Sequence, residues 1–288
     1  MLFLLKTVAF LIGHVPYGIA VFAGRAIGAL LFKIDKKRKR ITIENLRRAF
    51  GNRYSEGEIE AIARKVFENL AVMFFEFMRL PWLTEKTIGR YVEFTGLEHF
   101  DSALKKGNGV LLITGHFGNW ELLGVSLALK GYNLDIVARE LDSPLFERFV
   151  RWVRIKHGNR LISKSRSMRR LMKSLAENSI AALLVDQNVA LAEGVFVDFF
   201  SIPACTNKGP ALLVEASGAS AVPAFIVRDG KKHKVVVLPE IPLVSTGNRA
   251  DDIVVNTGLM TKAVEDMIRS YPDQWFWVHR RWKTRPPA

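Results

Sequence analysis

Val110-Leu-Leu-Ile-Thr-Gly-His-Phe-Gly-Asn-Trp-Glu-Leu-Leu-Gly124 is the stretch that decides the fold of this chain. Its opening apolar run is typical of a short buried strand. Gly115 and Gly118 then indicate a tight loop, and the residues from Trp120 onward have helical spacing. Strand, loop and helix therefore follow one another, and together they predict that His116 lies at the carboxyl end of the strand.

His116 and Glu121 are the residues of this stretch that could carry chemistry. A histidine held by a rigid strand suits proton transfer, because its ordinary pKa lies close to neutral pH. A carboxylate within reach can fix the tautomer of the ring, and a position in the first helical turn favours the ionised carboxylate. The alternative is structural, with Gly118 or Asn119 capping the helix and Glu121 serving as an ordinary first-turn acid.

The composition sets limits on the fold and the partners. The chain has 288 residues, of which 49% are hydrophobic, and this length allows one large α/β domain or a domain with an appended piece. The formal net charge of +14 predicts an anionic partner, namely nucleic acid, anionic lipid or a phosphorylated substrate. The single cysteine, Cys205, excludes an internal disulfide. We find no Walker motif and no zinc-ligand spacing, so no metal is expected.

Residues 1–33 are predicted to anchor the chain in a membrane. From Thr7 to Phe32 the sequence is apolar apart from Arg25, and it is long enough to cross a bilayer. Pro16 and Arg25 make it an imperfect transmembrane helix, so a hairpin or an interfacial helix is the alternative. The basic cluster that follows, from Lys33 to Arg40, should keep the body of the protein on the cytoplasmic side.

Residues 34–91 read as a basic, helical connecting region. Ser55 and Glu58 have the spacing of a capping box at the start of a long helix, and Pro81 should end that helix near Leu80.

Residues 92–288 alternate between strand and helix patterns. Strand patterns occur at Val92–Thr95, Val110–Thr114, Leu134–Ala138, Ile180–Val185, Ala221–Val227 and Lys234–Leu238. Helical patterns occur at Glu98–Lys105, Trp120–Lys130, Ser143–Lys156, Ser167–Glu177, Pro210–Ser217 and Asp251–Ser270. This alternation predicts an α/β fold, with a mostly parallel mixed sheet flanked by helices.

Three polar sites follow strands of that predicted sheet. His116 follows one strand, Arg139 the next, and Asp186 and Gln187 a later one. Ligands of such sheets bind at the carboxyl ends of the strands, so these side chains should converge on one edge. Arg139 could clamp a phosphate or an oxyanion there, or it could pair with a nearby acid such as Asp142. Asp186 could instead cap a turn.

Two further segments are rich in cationic residues, in keeping with the high net charge of the chain. The residues Lys164, Arg166, Arg169, Arg170 and Lys173 form a basic helix face, either solvated or facing a phosphate. The segment 275–287 interleaves aromatic residues with cations, which suits nucleic-acid stacking or a membrane interface. The apolar amino-terminal segment favours the membrane. Arg166, Arg169, Arg170, Arg280 and Arg281 are therefore predicted to form a substrate or membrane surface.

Several motifs together resemble the late acyltransferases of lipid A biosynthesis, the lauroyl and myristoyl transferases of Gram-negative bacteria. The matching pieces are Gly115-His-Phe-Gly-Asn-Trp-Glu121, Ala138-Arg-Glu140, Asp142-Ser-Pro144, Val185-Asp-Gln187, Gly194-Val-Phe-Val-Asp-Phe-Phe200, Thr206 with Gly209, and Trp277-Val-His-Arg-Arg-Trp-Lys-Thr-Arg-Pro286. The resemblance extends over nearly the whole chain. It places the chain among the acyltransferases with a histidine, four residues and an acid, a group that includes glycerolipid acyltransferases.

The resemblance implies transfer of a fatty acyl group to a hydroxyl of a phosphorylated glycolipid, foremost a lipid A precursor. The donor would be an acyl-carrier-protein or coenzyme A thioester, and no other cofactor is expected. His116 would be the general base and Glu121 would orient it, while Arg139 would stabilise an oxyanion or hold a phosphate. Asn119, Asp186 and Gln187 would support the site.

The same resemblance implies a location and partners. The protein would reside at the bacterial inner membrane with its catalytic domain on the cytoplasmic face. Acyl carrier protein, the glycolipid and the anionic membrane would be its partners, and nucleic acid would not.

Other functions stay open at this point. Phosphatidylinositol-mannoside acyltransferases share much of the pattern, and a lysophospholipid acyltransferase is also possible. Many relatives have an arginine-proline pair where this chain has Arg139 followed by Glu140, so the local turn could differ. A lipid esterase would use the same base on water. A non-catalytic basic protein could bind membrane or nucleic acid through the carboxyl-terminal segment.

Overall fold

The computed structural model describes residues 1–163 and 167–287. Its helices are α1 (Leu2–Gly13), α2 (Tyr17–Ile34), α3 (Lys36–Phe50), α4 (Glu56–Arg79), α5 (Glu85–Ile88), α6 (Leu97–Leu104), α7 (Trp120–Ala128), α8 (Pro144–Ile155), α9 (Ser167–Ala176), α10 (Gly209–Ser217) and α11 (Arg249–Ser270). Its strands are β1 (Val92–Thr95), β2 (Val110–Thr114), β3 (Leu134–Ala138), β4 (Arg160–Ser163), β5 (Ile180–Leu184), β6 (Gly194–Phe199), β7 (Ile202–Asn207), β8 (Ser220–Asp229) and β9 (Lys232–Val237). The predicted α/β class is confirmed.

The main sheet has the strand order β1-β9-β8-β2-β5-β3-β4. All neighbouring strands are parallel except β8 and β9, which form an antiparallel pair. The strand β2 lies in the middle, with Val110 level with Ile180 on one side and with Ser220 on the other. All five residues of β2 are buried. The apolar run that opens the deciding stretch is therefore the central strand of a sheet that is covered on both faces.

Three strands were not predicted, and their local sequences explain why. β4 is four residues long and half exposed, so it lacks an apolar run. β6 and β7 form a separate antiparallel hairpin. The two turn residues of this hairpin, Phe200 and Ser201, both have positive φ, a conformation for which Asn-Gly is the usual sequence. Tertiary contacts stabilise the turn instead, because Phe200 is buried and its N–H donates to Glu265.

The sheet separates two hydrophobic cores. The core on one face includes residues of α6, α7 and α8, for example Phe100, Leu127 and Phe149. The core on the other face includes residues of α9, α10 and α11 together with α3 and the first half of α4. Residues 34–91 thus pack into the body of the protein, and the proposed division into 1–33, 34–91 and 92–288 stays a prediction.

The amino-terminal segment forms two helices, α1 and α2, that break at Pro16 and pack against α4. Gly13, Gly24 and Gly28 make the packing close, because a Cβ atom at any of them would lie within 2.4–2.7 Å of an α4 backbone atom. The outward faces carry exposed apolar side chains, among them Phe3, Leu11, Phe22, Leu30 and Ile34. The helix α2 is long and apolar enough to cross a membrane, by length and composition alone.

A buried ion-pair network connects these helices to the sheet. Glu76 of α4 forms two hydrogen bonds of 2.7 Å with the guanidinium of Arg228, and it also accepts from Tyr17 and Asn119. Burial alone would raise the pKa of Glu76, but Arg228 and the nearby His233 lower it to about 2. The network fixes the start of α2 and the start of α7 to one carboxylate.

The carboxyl-terminal segment does not form the predicted aromatic membrane surface. Trp275, Trp277 and Trp282 are buried in the core, and their exposed fractions are at most 7%. Arg281 is also fully buried, where it donates to the carbonyl of Cys205 at 2.9 Å. The prediction that Arg281 belongs to a substrate or membrane surface is therefore wrong. Alternating aromatic and cationic residues look the same in sequence whether they face a membrane or a core.

Candidate active site

The loop between β2 and α7 holds His116 against the sheet, and two glycines allow its shape. A Cβ atom at Gly115 would lie 3.1 Å from the carboxyl carbon of Asp186, so glycine lets the two strand ends approach. Gly118 has φ of +57°, and a Cβ atom there would lie 1.9 Å from the carbonyl oxygen of Ile226. The N–H of Gly118 also donates to the carbonyl of Gln274. The loop is thus held by two contacts: it packs against the backbone of β8 at Ile226, and it donates a hydrogen bond to the carboxyl-terminal segment at Gln274.

We expect Gly118→Ala to displace this loop and lower stability by more than the usual cost of a positive φ. Gly230 is the matched control, because its φ is +58° and an added Cβ would meet nothing within 4 Å. Gly230→Ala should cost about 1–2 kcal/mol from the backbone conformation alone. Gly118→Ala should cost at least about 3 kcal/mol, because overpacking adds to that cost. Denaturant unfolding of both variants measures the difference, and equal losses would contradict this role of Gly118.

Asp186 fixes both the backbone and the ring of His116. Its Oδ2 accepts from the His116 N–H at 2.7 Å and from the indole N–H of Trp275 at 2.7 Å. Its Oδ1 lies 2.8 Å from Nδ1 of His116. Asp186 is buried at the end of β5, the strand next to β2. The predicted convergence of His116 and Asp186 on one sheet edge is therefore seen in the structure.

The electrostatics of this contact keep Asp186 ionised. Burial alone would raise the pKa of the carboxyl group, but the charge and hydrogen bonds of His116 and the hydrogen bond from Trp275 lower it to about 2. The ionised carboxylate therefore stabilises the folded state by about 2 kcal/mol above its ordinary pKa, and this contribution is lost as the pH falls through the lowered value. An ionised carboxylate at Nδ1 favours the tautomer with the proton on Nδ1, which leaves the lone pair on Nε2.

The other side of the imidazole faces a cavity. Nε2 of His116 lies 3.3 Å from the amide nitrogen of Gln187, which follows Asp186 in the chain. The rings of Trp120 and Phe276 flank the imidazole, with centroids at 5.1 and 5.9 Å. Nε2 is thus the nitrogen that a bound hydroxyl could reach.

Glu121 does not orient His116 in the structure. Both of its carboxylate oxygens bind Arg154 of α8, at 2.5 and 2.9 Å. The carboxylate that binds Nδ1 of His116 is Asp186 instead. The ion pair is largely buried, and although burial alone would lower the pKa of Arg154, its contacts with Glu121 raise it. The expected orienting contact from Glu121 is thus replaced by one from Asp186, while Glu121 holds a cation beside the site.

His116, Glu121 and Arg154 line one cavity of about 680 Å³. The rest of its wall is mainly apolar, with Leu112, Leu123, Leu134, Ile136, Leu183 and Leu213 among the contributors. The side chains come from the two faces of the sheet and from the helices α7, α8, α9 and α10. The cavity therefore joins a polar region at His116 to an apolar space that fits a flexible hydrocarbon chain.

The remaining predicted site residues are distributed around this cavity. Arg139 lines it, but its side chain is mostly exposed and pairs with Asp142 at 3.2 Å. Asn119 is buried away from the cavity, where it caps α7 by accepting from Leu122 and donates to Glu76. Asn119 therefore supports the site by capping the start of α7, which is the structural alternative considered for this residue in the sequence analysis.

The predicted cationic surface is only partly described by the structure. Arg169 and Arg170 are exposed on α9, whose neighbouring residues Met168 and Leu171 line the cavity. Arg280 is exposed, whereas Arg281 is buried. Arg166 lies outside the described residues. Within the described ranges, no group of three or more His, Cys, Asp or Glu side chains could hold a metal ion.

Trp275 and Arg154 are functional candidates that sequence reasoning missed. Trp275 reaches Asp186 from 89 residues further along the chain, and Arg154 reaches Glu121 from 33 residues away. No local pattern connects partners so far apart. The apolar residues Phe149 and Val153 are four residues apart, which predicts a helix. The sequence does not show which face of that helix meets the site, so it does not identify Arg154.

A histidine that a buried carboxylate fixes at Nδ1, with Nε2 facing an apolar cavity, has the geometry that a general base needs beside an apolar substrate. The chain belongs to the bacterial lipid A biosynthesis acyltransferase family, whose match covers residues 1–284. The protein is therefore an acyltransferase.

Individual relatives share most of the chain. The lipid A biosynthesis lauroyltransferase of Escherichia coli (strain K12) is 28% identical over 283 residues, which cover 97% of this chain and 90% of the relative. The lipid A biosynthesis palmitoleoyltransferase of the same organism is 25% identical over 280 residues, which cover 95% and 88%. The phosphatidylinositol mannoside acyltransferase of Mycobacterium tuberculosis (strain ATCC 25618 / H37Rv) is 27% identical over 214 residues, which cover 72% and 66%.

Proposed function

We propose that this protein transfers a fatty acyl group from a thioester to a hydroxyl of a lipid A precursor, with His116 as the general base. The observation that carries the proposal is the contact between Asp186 and Nδ1 of His116, which turns Nε2 toward the apolar cavity. The family and the relatives that act in lipid A biosynthesis support this class of acceptor.

The proposed reaction is a direct transfer. Nε2 of His116 takes the proton of the acceptor hydroxyl while the hydroxyl oxygen attacks the thioester carbonyl. The carbon–sulfur bond then breaks, and the leaving thiolate takes the proton from the imidazolium. Asp186 stabilises the imidazolium between these two steps, as the carboxylate does in a serine-protease triad. The sequence has no Gly-x-Ser-x-Gly nucleophile elbow, which agrees with a mechanism that forms no acyl-enzyme.

Cations beside His116 would meet the negative charge that develops on the carbonyl oxygen and the phosphates of the acceptor. Arg154 is held in place by Glu121, so its position is preorganised. Arg139 lies at the exposed rim of the same cavity, and its pair with Asp142 is solvated and easily exchanged for a phosphate. Gln187 can donate to a group bound near Nε2 of His116.

The apolar part of the cavity would hold the acyl chain. Leucine side chains from the sheet and from α7 and α10 form its wall, and they offer no partner to a polar group. Burial of a methylene group contributes about 0.8 kcal/mol, so a cavity of this kind favours a long-chain thioester over a short one.

The proposed location is the cytoplasmic face of the bacterial inner membrane. The exposed apolar faces of α1 and α2 would contact the bilayer, and the basic cluster from Lys33 to Arg40 would stay on the cytoplasmic side. The donor would be an acyl-carrier-protein or coenzyme A thioester, with no further cofactor. A net charge of +14 favours anionic lipid, and the exposed Arg169 and Arg170 on α9, beside the cavity, favour an anionic donor.

We expect the detergent-solubilised protein to move a labelled acyl group from an acyl-carrier-protein thioester to a lipid A precursor. A lysophospholipid and a phosphatidylinositol mannoside are the competing acceptors, and the second is motivated by the mycobacterial relative. Each acceptor should be run with coenzyme A thioesters in parallel and with water alone as the control for esterase activity.

Transfer to the lipid A precursor at a rate at least tenfold above the other acceptors would support the proposed acceptor. Faster transfer to either of the other lipids would contradict the proposed acceptor but would still agree with His116 as the general base. Release of free fatty acid at the same rate without any acceptor would contradict acyl transfer and favour an esterase.

A further inference from the structure

The helix α8 presents two different faces. Phe149 and Val153 are buried in the core, and Arg154 lines the catalytic cavity. Arg148 and Arg151 are exposed three residues apart on the side that faces away from Phe149 and Val153, and neither forms an ion pair with another described residue. Two neighbouring cations without acidic partners repel each other, so the outer face of α8 favours an anionic ligand.

Tryptophan and lysine side chains border this outer face. Nζ of Lys6 lies 4.4 Å from the centroid of the Trp152 ring, and Nζ of Lys156 lies 5.5 Å from the same ring. The ring of Trp82 packs edge-on against that of Trp152 at 6.0 Å, and it also lies beneath Lys156. Tryptophan beside lysine and arginine is typical of the headgroup level of a membrane, where the indole meets the acyl boundary and the cations meet phosphates.

The apolar face of α1 continues from this border. The helix α1 packs against α8, and its outward residues Phe3, Leu4, Val8 and Leu11 are exposed. Ile155, at the end of α8, is also exposed. One side of the molecule therefore changes from apolar, at α1, through the tryptophans to cationic, at α8. A bilayer surface changes in the matching order, from acyl chains through the interface to headgroups.

We propose that the outer face of α8 is a membrane-contact surface that binds anionic lipid headgroups beside α1. The apolar face of α1 would enter the acyl boundary, while Arg148, Arg151, Lys6 and Lys156 would contact headgroup phosphates. Because Arg154 lines the catalytic cavity from the same helix, the bilayer would lie one helix away from the site. This inference rests on the membrane attachment proposed above and not on the acyl-transfer reaction.

A fluorescent label that reports on its surroundings tests this surface without any substrate. Ile155→Cys places the label on the outer face of α8, and Lys173→Cys places it on α9, whose Leu171 and Leu175 belong to the core on the other face of the sheet. The native Cys205 is buried, and burial raises the pKa of its thiol, so an introduced exposed cysteine should react in preference to it. The full chain is bound to vesicles of phosphatidylglycerol and phosphatidylcholine in equal amounts, and a neutral aqueous quencher measures exposure.

We expect the label at 155 to be shielded from the quencher in these vesicles and the label at 173 to stay exposed. Arg148→Gln with Arg151→Gln should weaken the headgroup contact about 30-fold, because each cation at an anionic surface contributes about a fivefold factor. The shielding at 155 should then be lost, with the protein still bound through α1. Arg169→Gln with Arg170→Gln on α9 is the matched control and should leave the shielding unchanged.

Several outcomes would overturn the inference, and they separate it from the proposals before it. Equal exposure of the two labels in bound protein would show that α8 does not touch the bilayer. An equal effect of the α9 substitutions would show that total charge, rather than the α8 face, sets the contact. A chain that binds no vesicles would overturn membrane attachment as well, while a loss of acyl transfer alone would leave the label result unaffected.

Discussion

His116→Ala should lower kcat for acyl transfer by about 10²–10⁴-fold, the range by which a positioned general base usually accelerates a reaction. Nε2 of His116 faces the cavity, and the described structure offers no second imidazole among the residues that line it. The free energy of unfolding should also fall, by about 1–3 kcal/mol, because the buried carboxylate of Asp186 loses the ring N–H that helps to keep it ionised. Steady-state transfer with saturating thioester and acceptor measures the effect.

The matched control for this loss is His99→Ala. His99 lies on α6, which does not contribute to the cavity, so its removal should leave the transfer rate within about twofold of the unsubstituted chain. Thermal unfolding of both variants confirms that each is folded. Transfer at the unsubstituted rate by folded His116→Ala would show that another group takes the proton.

Asp186→Asn should be nearly as harmful as removal of the base, with a loss of about 10²–10⁴-fold in kcat. The reason is the direction in which the new amide must point. The N–H groups of His116 and Trp275 both donate to Oδ2 of Asp186, so the amide oxygen of asparagine must take that position. The amide NH₂ then faces Nδ1 of His116, which must become an acceptor, and the proton moves to Nε2. The base is thereby placed in the wrong tautomer.

Trp275→Phe is the graded control for this prediction. It removes one of the three hydrogen bonds to Asp186 and keeps the carboxylate and its contact with Nδ1. A hydrogen bond to a charged group contributes about 1.5–3 kcal/mol, so the main loss should appear in the free energy of unfolding. The loss in kcat should stay well below that of Asp186→Asn. Comparable losses in kcat would indicate that packing around Asp186, rather than the tautomer, limits transfer.

The elements that carry a local signal were predicted well from the sequence. The buried run from Val110 to Thr114 and the helix from Trp120 are determined by apolar spacing over a few residues, and both are present in the structure. The capping box of Ser55 and Glu58 starts α4 as expected. Such features depend on contacts within one turn or one strand, which the sequence shows directly.

The features that were missed depend on contacts between distant parts of the chain. The sequence predicted that Asp186 and His116 converge on one sheet edge, but not that Asp186 binds Nδ1 of the ring. It also did not predict that the carboxyl-terminal segment folds over the loop and brings Trp275 to Asp186. The ion pair of Glu121 with Arg154 depends in the same way on how α8 packs against α7. The burial of Arg281 follows from a core that forms around it. The sequence therefore located the histidine of the candidate site but assigned its orienting carboxylate to the nearer acid.

The tautomer of His116 is the property on which the proposed mechanism depends most directly. Nitrogen-15 NMR of histidine-labelled protein, with His116→Gln used to assign the signal, measures which ring nitrogen carries the proton in the neutral imidazole. We expect the proton on Nδ1 in the unsubstituted chain and in Glu121→Gln, and on Nε2 in Asp186→Asn. A proton on Nε2 in the unsubstituted chain would contradict the assignment of His116 as a base that Asp186 holds ready for the acceptor hydroxyl.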